Sequence, residues 1–258
     1  MAHKILVMSP LHNLGATVAA EMIAQAVTFD NKTSTLLFTE ANSNLPQYLG
    51  IEDTHDPTRS IMQIVKLIDS GAISDTDILD YAFTYVKNGW LIDVADPSLA
   101  GKDREQVVSH VFSRVTTDIA ICDNSEDIDS PLTQALLDIA DMTFIVIDMS
   151  KKSMKHLKAW LESPQLKDKD NVYIIVTKYN EVAGAVRDFA RSIAVPANRV
   201  CKLHYNPWII KCTLNMQLHT ILPLARELDP RVANLNSDIM ELIQCIDGNI
   251  LLNTKRGF

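Results

Sequence analysis

Apolar, β-branched runs at residues 4–8, 34–39, 90–94, 118–122, 142–148, 171–177 and 199–203 alternate along this chain with segments whose apolar residues recur at helical spacing. The first of those segments carries Val18, Met22, Ile23 and Ala26, and the next carries Ile61, Ile64, Val65 and Ile68. A strand that is apolar on both of its alternating faces must be covered on both sides, and helices between successive strands supply that cover. The pattern predicts an α/β, doubly wound, mostly parallel sheet of about seven strands with helices on both faces. Punctuation agrees with it. Asp56-Pro57-Thr58, Ser74-Asp75 and Ser130-Pro131 can each open a helix, Ser163-Pro164 can close one, and the charged stretch 167–170 reads as a solvated loop. No repeat, low-complexity tract or linker divides the 258 residues, so the expected organisation is one domain over 1–258.

Composition excludes several function classes. A formal net charge of −8 argues against a broad, sequence-independent grip on nucleic acid, which rests on Lys and Arg neutralising phosphates, although a local basic patch stays compatible with it. Cys122, Cys201, Cys212 and Cys245 form no C-x-x-C pair, and the histidines form no H-x-x-x-H pair, so neither a zinc ribbon, a redox dithiol nor a zinc hydrolase is suggested. The apolar run at 5–8 is too short for a signal-peptide core, and no stretch reaches the length of a membrane span. The expected location is cytoplasmic, with membrane or polar association only through partners.

In an open α/β sheet, ligands bind outside the carboxyl ends of the strands. Residues 9–17 leave the first strand there and lead into a helix whose N-terminal N–H groups favour an anion. Ser9-Pro10-Leu11-His12-Asn13-Leu14-Gly15-Ala16-Thr17 aligns with G-x-x-x-x-G-K-[ST], the phosphate-binding P-loop. Pro10 stands at the first glycine, Gly15 at the second, Ala16 at the lysine and Thr17 at the Mg²⁺ ligand. A glycine at a strand-to-helix turn also has a purely steric use. Thr116-Thr117-Asp118-Ile119-Ala120-Ile121-Cys122-Asp123 has the form of a Walker B strand, its terminal Asp123 able to hold Mg²⁺ or simply to cap a turn. The acidic loop that follows lacks the glycine and glutamate of a calcium loop.

Taken in order, these features resemble the ParA/MinD family of deviant-Walker P-loop ATPases, of the SIMIBI class, and within it the divergent CpaE/TadZ-like branch. Leu36-Leu37-Phe38-Thr39-Glu40-Ala41 looks like the family's second strand and loop, Trp90-Leu91-Ile92-Asp93-Val94-Ala95-Asp96-Pro97 its third, and Ala140-Asp141 the end of a helix that feeds a strand. The resemblance implies a P-loop NTPase-like fold and ATP or ADP with Mg²⁺ as ligands. It places the nucleotide on Leu11, His12, Asn13, Leu14, Gly15, Ala16, Thr17, Val18, Thr177, Asn206 and Pro207, and the metal on Thr17 and Asp123.

The departures bear on activity. Leu11 occupies the position of the family's signature lysine, Ala16 that of the ordinary P-loop lysine, and Thr39 and Ala41 replace the two aspartates of the second-strand motif. Thr177 stands where an asparagine often reads adenine. Phosphoryl transfer depends on positioning and charge stabilisation, so these losses predict weak or absent ATP hydrolysis, with an empty cleft as the alternative to a bound nucleotide. No catalytic residue is assigned. Glu40 is the nearest carboxylate, but strand alternation points it opposite to Thr39 unless the register shifts. His12 reads as a solvent-facing loop residue in preference to a phosphate contact.

The final segment, 239–246 then 250–258, is expected to be a core-packing helix with a short tail. It has only Lys255 and Arg256 as basic flanks, and Gly248 is expected to interrupt it. The functional expectation is a positioning or assembly factor, homodimeric, working with protein partners of a pilus, secretion or conjugation apparatus. An active ParA-like ATPase that partitions DNA or cargo is the competing expectation.

Overall fold

The computed structural model describes residues 2–39, 45–51, 57–92, 102–227 and 229–256. The chain begins with β1 (His3–Met8), α1 (Ala16–Phe29), β2 (Ser34–Phe38), α2 (Leu45–Tyr48) and α3 (Ile61–Asp69). A hairpin of β3 (Phe83–Val86) and β4 (Gly89–Ile92) follows, then α4 (Lys102–Arg114), β5 (Ile119–Asn124), α5 (Pro131–Ile139), β6 (Met142–Ile147) and α6 (Lys151–Leu161). The remainder is β7 (Val172–Tyr179), α7 (Val186–Ser192), β8 (Val200–His204), α8 (Pro207–Leu214), α9 (Ile221–Arg226) and α10 (Ala233–Arg256).

These strands form one eight-stranded sheet in the order β3-β4-β2-β5-β1-β6-β7-β8. Every neighbouring pair is parallel except β3 with β4. The sheet has one strand more than the sequence pattern predicts. The extra strand is β3, a short, half-exposed edge segment that lacks the apolar run of a central strand.

Strand alternation divides the core in two. Leu6 and Met8 of β1 join Ile61, Val108, Leu132, Leu157 and Phe189 on the face carrying α3 to α7. Ile5 and Val7 join Ala19, Leu45, Cys212, Leu222 and Leu235 on the face carrying α1, α2 and α8 to α10. Helices therefore cover both faces.

Helix starts follow side-chain capping. Ser60, Ser130 and Ser150 accept the N–H groups of Gln63, Thr133 and Ser153, satisfying donors that the first turn leaves open. The start expected at 56–58 is displaced. Pro57–Arg59 forms a short 3₁₀ turn and the helix is capped at Ser60, while Asp56 lies outside the described residues. Ser74 opens a 3₁₀ segment, Asp75–Tyr81, through a reciprocal box with Asp77. The third expected strand is present as Gly89–Ile92, and residues 93 and 94 lie outside the described residues.

The last helix is buried on one side by Leu235, Ile239, Leu242 and Ile246, and it runs through Gly248 without a break. The expected interruption does not occur because tertiary packing outweighs the propensity cost of one glycine, about 1 kcal/mol. Among the described residues no helix is long and apolar enough to cross a membrane.

Asp238 ties α10 to the sheet edge. Its carboxylate accepts the His204 backbone N–H at 2.8 Å and lies 2.9 Å from His204 Nδ1, and Asp238 itself is fully buried. Removing it strands a buried edge N–H, which costs about 2 kcal/mol. Asp238→Ala is thus expected to lower stability by about that amount in urea denaturation, and an unchanged midpoint and slope would count against this tie.

Candidate functional site

The register of β1 against β5 builds the site. Val7 pairs with Asp123 and Met8 with Asn124, so the loop that leaves β1 emerges beside the acidic end of β5. Gly15, at φ 88°, makes the left-handed turn into α1, and Asn13 at φ 63° makes the one before it. Thr17 in the first turn of α1 then donates its hydroxyl to Asp123 Oδ2 at 2.7 Å. Asp123 is 6% exposed, and burial, with the Asp123 charge adding to it, pushes the neighbouring Cys122 thiol well up.

Side chains hold the loop by its carbonyls. Ser9 Oγ donates to Leu11 O at 2.8 Å, Thr177 Oγ1 to Leu14 O at 2.5 Å, and Lys178 Nζ to Asn13 O at 2.9 Å. The Leu14 N–H closes the turn at His12 and Asn13, but among the described residues no acceptor is present for the other backbone N–H groups from Leu11 to Val18, and Gly15 offers no side-chain cap to the helix. A row of unpaired N–H groups at a helix N-terminus is a cradle for an anion such as a phosphate. In front of it opens a cleft of about 620 Å³, bordered by the loop, by Asp123 to Ser125, by Thr177 and Lys178, and by Leu203 to Asn206 with α8 beyond.

A scan against protein-family models and a search of curated proteins both return no match. Solved structures do match over nearly the whole chain. The MinD cell division protein of Aquifex aeolicus superposes with a TM-score of 0.70 at 17% identity, covering 96% of this chain and 97% of that one. A ParA family ATPase from Chlorobium tepidum gives 0.69 at 17% identity, over 95% of this chain and 98% of that one. The septum site-determining protein MinD from Pyrococcus horikoshii, solved with Mg-ADP, gives 0.67 at 14% identity, over 96% of each chain. This is the MinD/ParA fold.

On the MinD/ParA fold the residues expected from sequence gather as follows. Leu11 to Val18, Thr177, Asn206 and Asp123 border the one cleft, whereas Pro207 does not line it. Leu11 is half-buried, packs against the cluster on the α3 to α7 face and also borders the cleft. His12 and Asn13 are exposed. Asn206 spends its side chain on structure: Oδ1 caps α8 at Trp208 N, and Nδ2 donates to Arg231 O and Asn234 Oδ1. Thr39 is fully buried and donates to Asn124 Oδ1 at 3.0 Å, while Asn124 Nδ2 donates to Thr133 Oγ1. That network carries no charge. Glu40 and Ala41 lie outside the described residues.

The residue groups suit a phosphate and a hard cation. The amide cradle would hold phosphate oxygens, and Thr17 Oγ1 with the Asp123 carboxylate would hold Mg²⁺, a cation that takes oxygen ligands and retains several waters. Sequence reasoning misses Lys178. In the MinD/ParA fold it enters this cleft from β7, and no motif spacing announces it.

Proposed function

We propose that this chain, as one domain over 1–258, is a nucleotide-binding member of the ParA/MinD family, of the CpaE/TadZ-like branch with a degenerate P-loop. In this reading it uses bound ATP or ADP with Mg²⁺ to set a conformation, hydrolyses ATP weakly or not at all, and positions or assembles a pilus, secretion or conjugation apparatus from the cytoplasm. The observation that carries the reading is the set of unpaired amides between Leu11 and Val18, Leu14 apart, beside the Thr17–Asp123 pair. The Mg-ADP in the Pyrococcus horikoshii MinD structure, on the same fold, adds support. The loss of charge at Leu11, Ala16 and Thr39 supports binding without efficient turnover.

Within this proposal the protein's own groups bind and orient. The amides fix the phosphate oxygens, Thr17 and Asp123 fix the metal, and the metal when bound neutralises phosphate charge. Tyr205, Ile210 and Leu214, 53%, 49% and 77% exposed, form an apolar rim at the cleft mouth, which supports homodimer formation through this side.

Calorimetry tests the reading. MgATP is expected to bind the wild-type protein, and Thr17→Ala to weaken that binding about tenfold, the worth of one charge-assisted contact. In EDTA the two proteins should bind ATP equally. Failure of wild type to bind at millimolar MgATP would remove the proposal. Phosphate release above the protein-free rate that Asp123→Asn abolishes would remove its non-catalytic part and favour an active partition ATPase.

A further inference from the structure

β7 carries an irregularity opposite the phosphate cradle. Its pairing with β8 shifts register between Val176 and Tyr179, and Lys178 within the shift has φ 52°, a left-handed conformation uncommon outside glycine. In a regular strand, Thr177 and Lys178 would point to opposite faces of the sheet. With the bulge, both reach the same loop, Thr177 Oγ1 to Leu14 O and Lys178 Nζ to Asn13 O. Lys178 is exposed and borders the cleft, with its ammonium on Asn13 O. An ammonium has three donors, and Asn13 O takes one of them.

Residues 9–18 contain no lysine or arginine, so the loop itself brings no permanent cation to the phosphates its amides would bind. We propose that Lys178 supplies the missing charge, contacting the phosphate chain of a nucleotide from β7 instead of from the P-loop. The inference rests on the reading of the cleft as a nucleotide site. Two further features fit it. Asp148, at the end of neighbouring β6, is raised by burial but held below the ordinary carboxylate range by hydrogen bonds from Ser153 and Ser150 and by the charge of Lys178. That places an ionised carboxylate where it favours a charged ammonium at the cleft wall. The second is the pair of left-handed residues, Asn13 and Lys178, joined by the Nζ to carbonyl bond. Backbone strain of this kind gathers at ligand clamps.

The experiment compares MgATP and AMP binding by calorimetry for wild type, Lys178→Arg, Lys178→Gln and Lys178→Met, with thermal melts of each free protein. Glutamine can still donate to Asn13 O but carries no charge, so it separates a loop clamp from a phosphate cation. The expected result is that Lys178→Gln and Lys178→Met each weaken MgATP about tenfold to a hundredfold, that Lys178→Arg keeps most of the affinity, and that AMP is affected less. The neutral variants should also show a shallower dependence of MgATP affinity on ionic strength. Full affinity in Lys178→Gln, or equal losses for MgATP and AMP, would overturn the role of Lys178 and leave the nucleotide site standing. No binding of MgATP by wild type would overturn both.

Discussion

Replacing Glu21 by glutamine is expected to stabilise the protein by about 3 kcal/mol at pH 8 and to change little at pH 5. Glu21 lies in α1 with no exposed surface, and burial raises its carboxyl from an ordinary 4.5 to about 8. Gln25 Nε2 donates to Glu21 Oε1, but Glu21 Oε2 and Gln25 Oε1 have no partner. A proton on Glu21 would let these two atoms meet. The folded state therefore holds a proton that the unfolded state releases above pH 4.5. Stability associated with Glu21 is complete below pH 4.5 and declines as pH rises toward about 8. Full coupling over this window would be about 5 kcal/mol, and local relaxation and water entry reduce it to about 3. Glutamine is neutral throughout and removes the dependence. Urea denaturation of both proteins at pH 5 and pH 8 checks this, and parallel pH profiles would refute it.

Gly15→Val is expected to weaken nucleotide binding about a hundredfold or more while leaving a folded protein. A Cβ on Gly15 would find Thr177 Cγ2 at 3.7 Å, an ordinary contact. That room is for a Cβ alone; the γ-methyls of valine must also pass Thr177, and φ 88° is a conformation a β-branched residue adopts only under strain of about 2 kcal/mol. Relaxing that strain turns the peptide units on either side and takes amides out of the cradle. Losing two charge-assisted contacts costs about 3 kcal/mol, or about a hundredfold or more in MgATP affinity. Circular dichroism should report native helix content, with calorimetry showing the loss. A variant that binds like wild type would mean that the amides of this loop do not hold the ligand.

Much of the fold was legible because central parallel strands bury both faces and so advertise themselves as unbroken apolar runs. β3 was not, since Phe-Thr-Tyr-Val at an exposed edge alternates without a strong apolar face. A weaker signal does exist in the two-residue loop Lys87-Asn88, where Asn88 takes the turn at φ 65°. Gly15, Thr17 and Asp123 were legible because motif spacing along the chain encodes them. Lys178 was not. A register shift between two strands depends on their pairing, which no spacing within one strand records. The bonds from Asn206 Nδ2 were equally hidden, because its partners Arg231 and Asn234 are distant in sequence.

The two ends of the sheet limit how copies of this chain can associate. At one end β3 is four residues long and its pairing is irregular between Thr84 and Val86; at the other, Asp238 occupies the His204 N–H. Short length, a bulge and a side chain seated on an edge donor are each devices that deny a template to an incoming strand. Backbone-to-backbone growth, the route by which open sheets polymerise, is thereby obstructed at both margins. Reversible assembly through side chains is left as the mode of self-association this architecture permits.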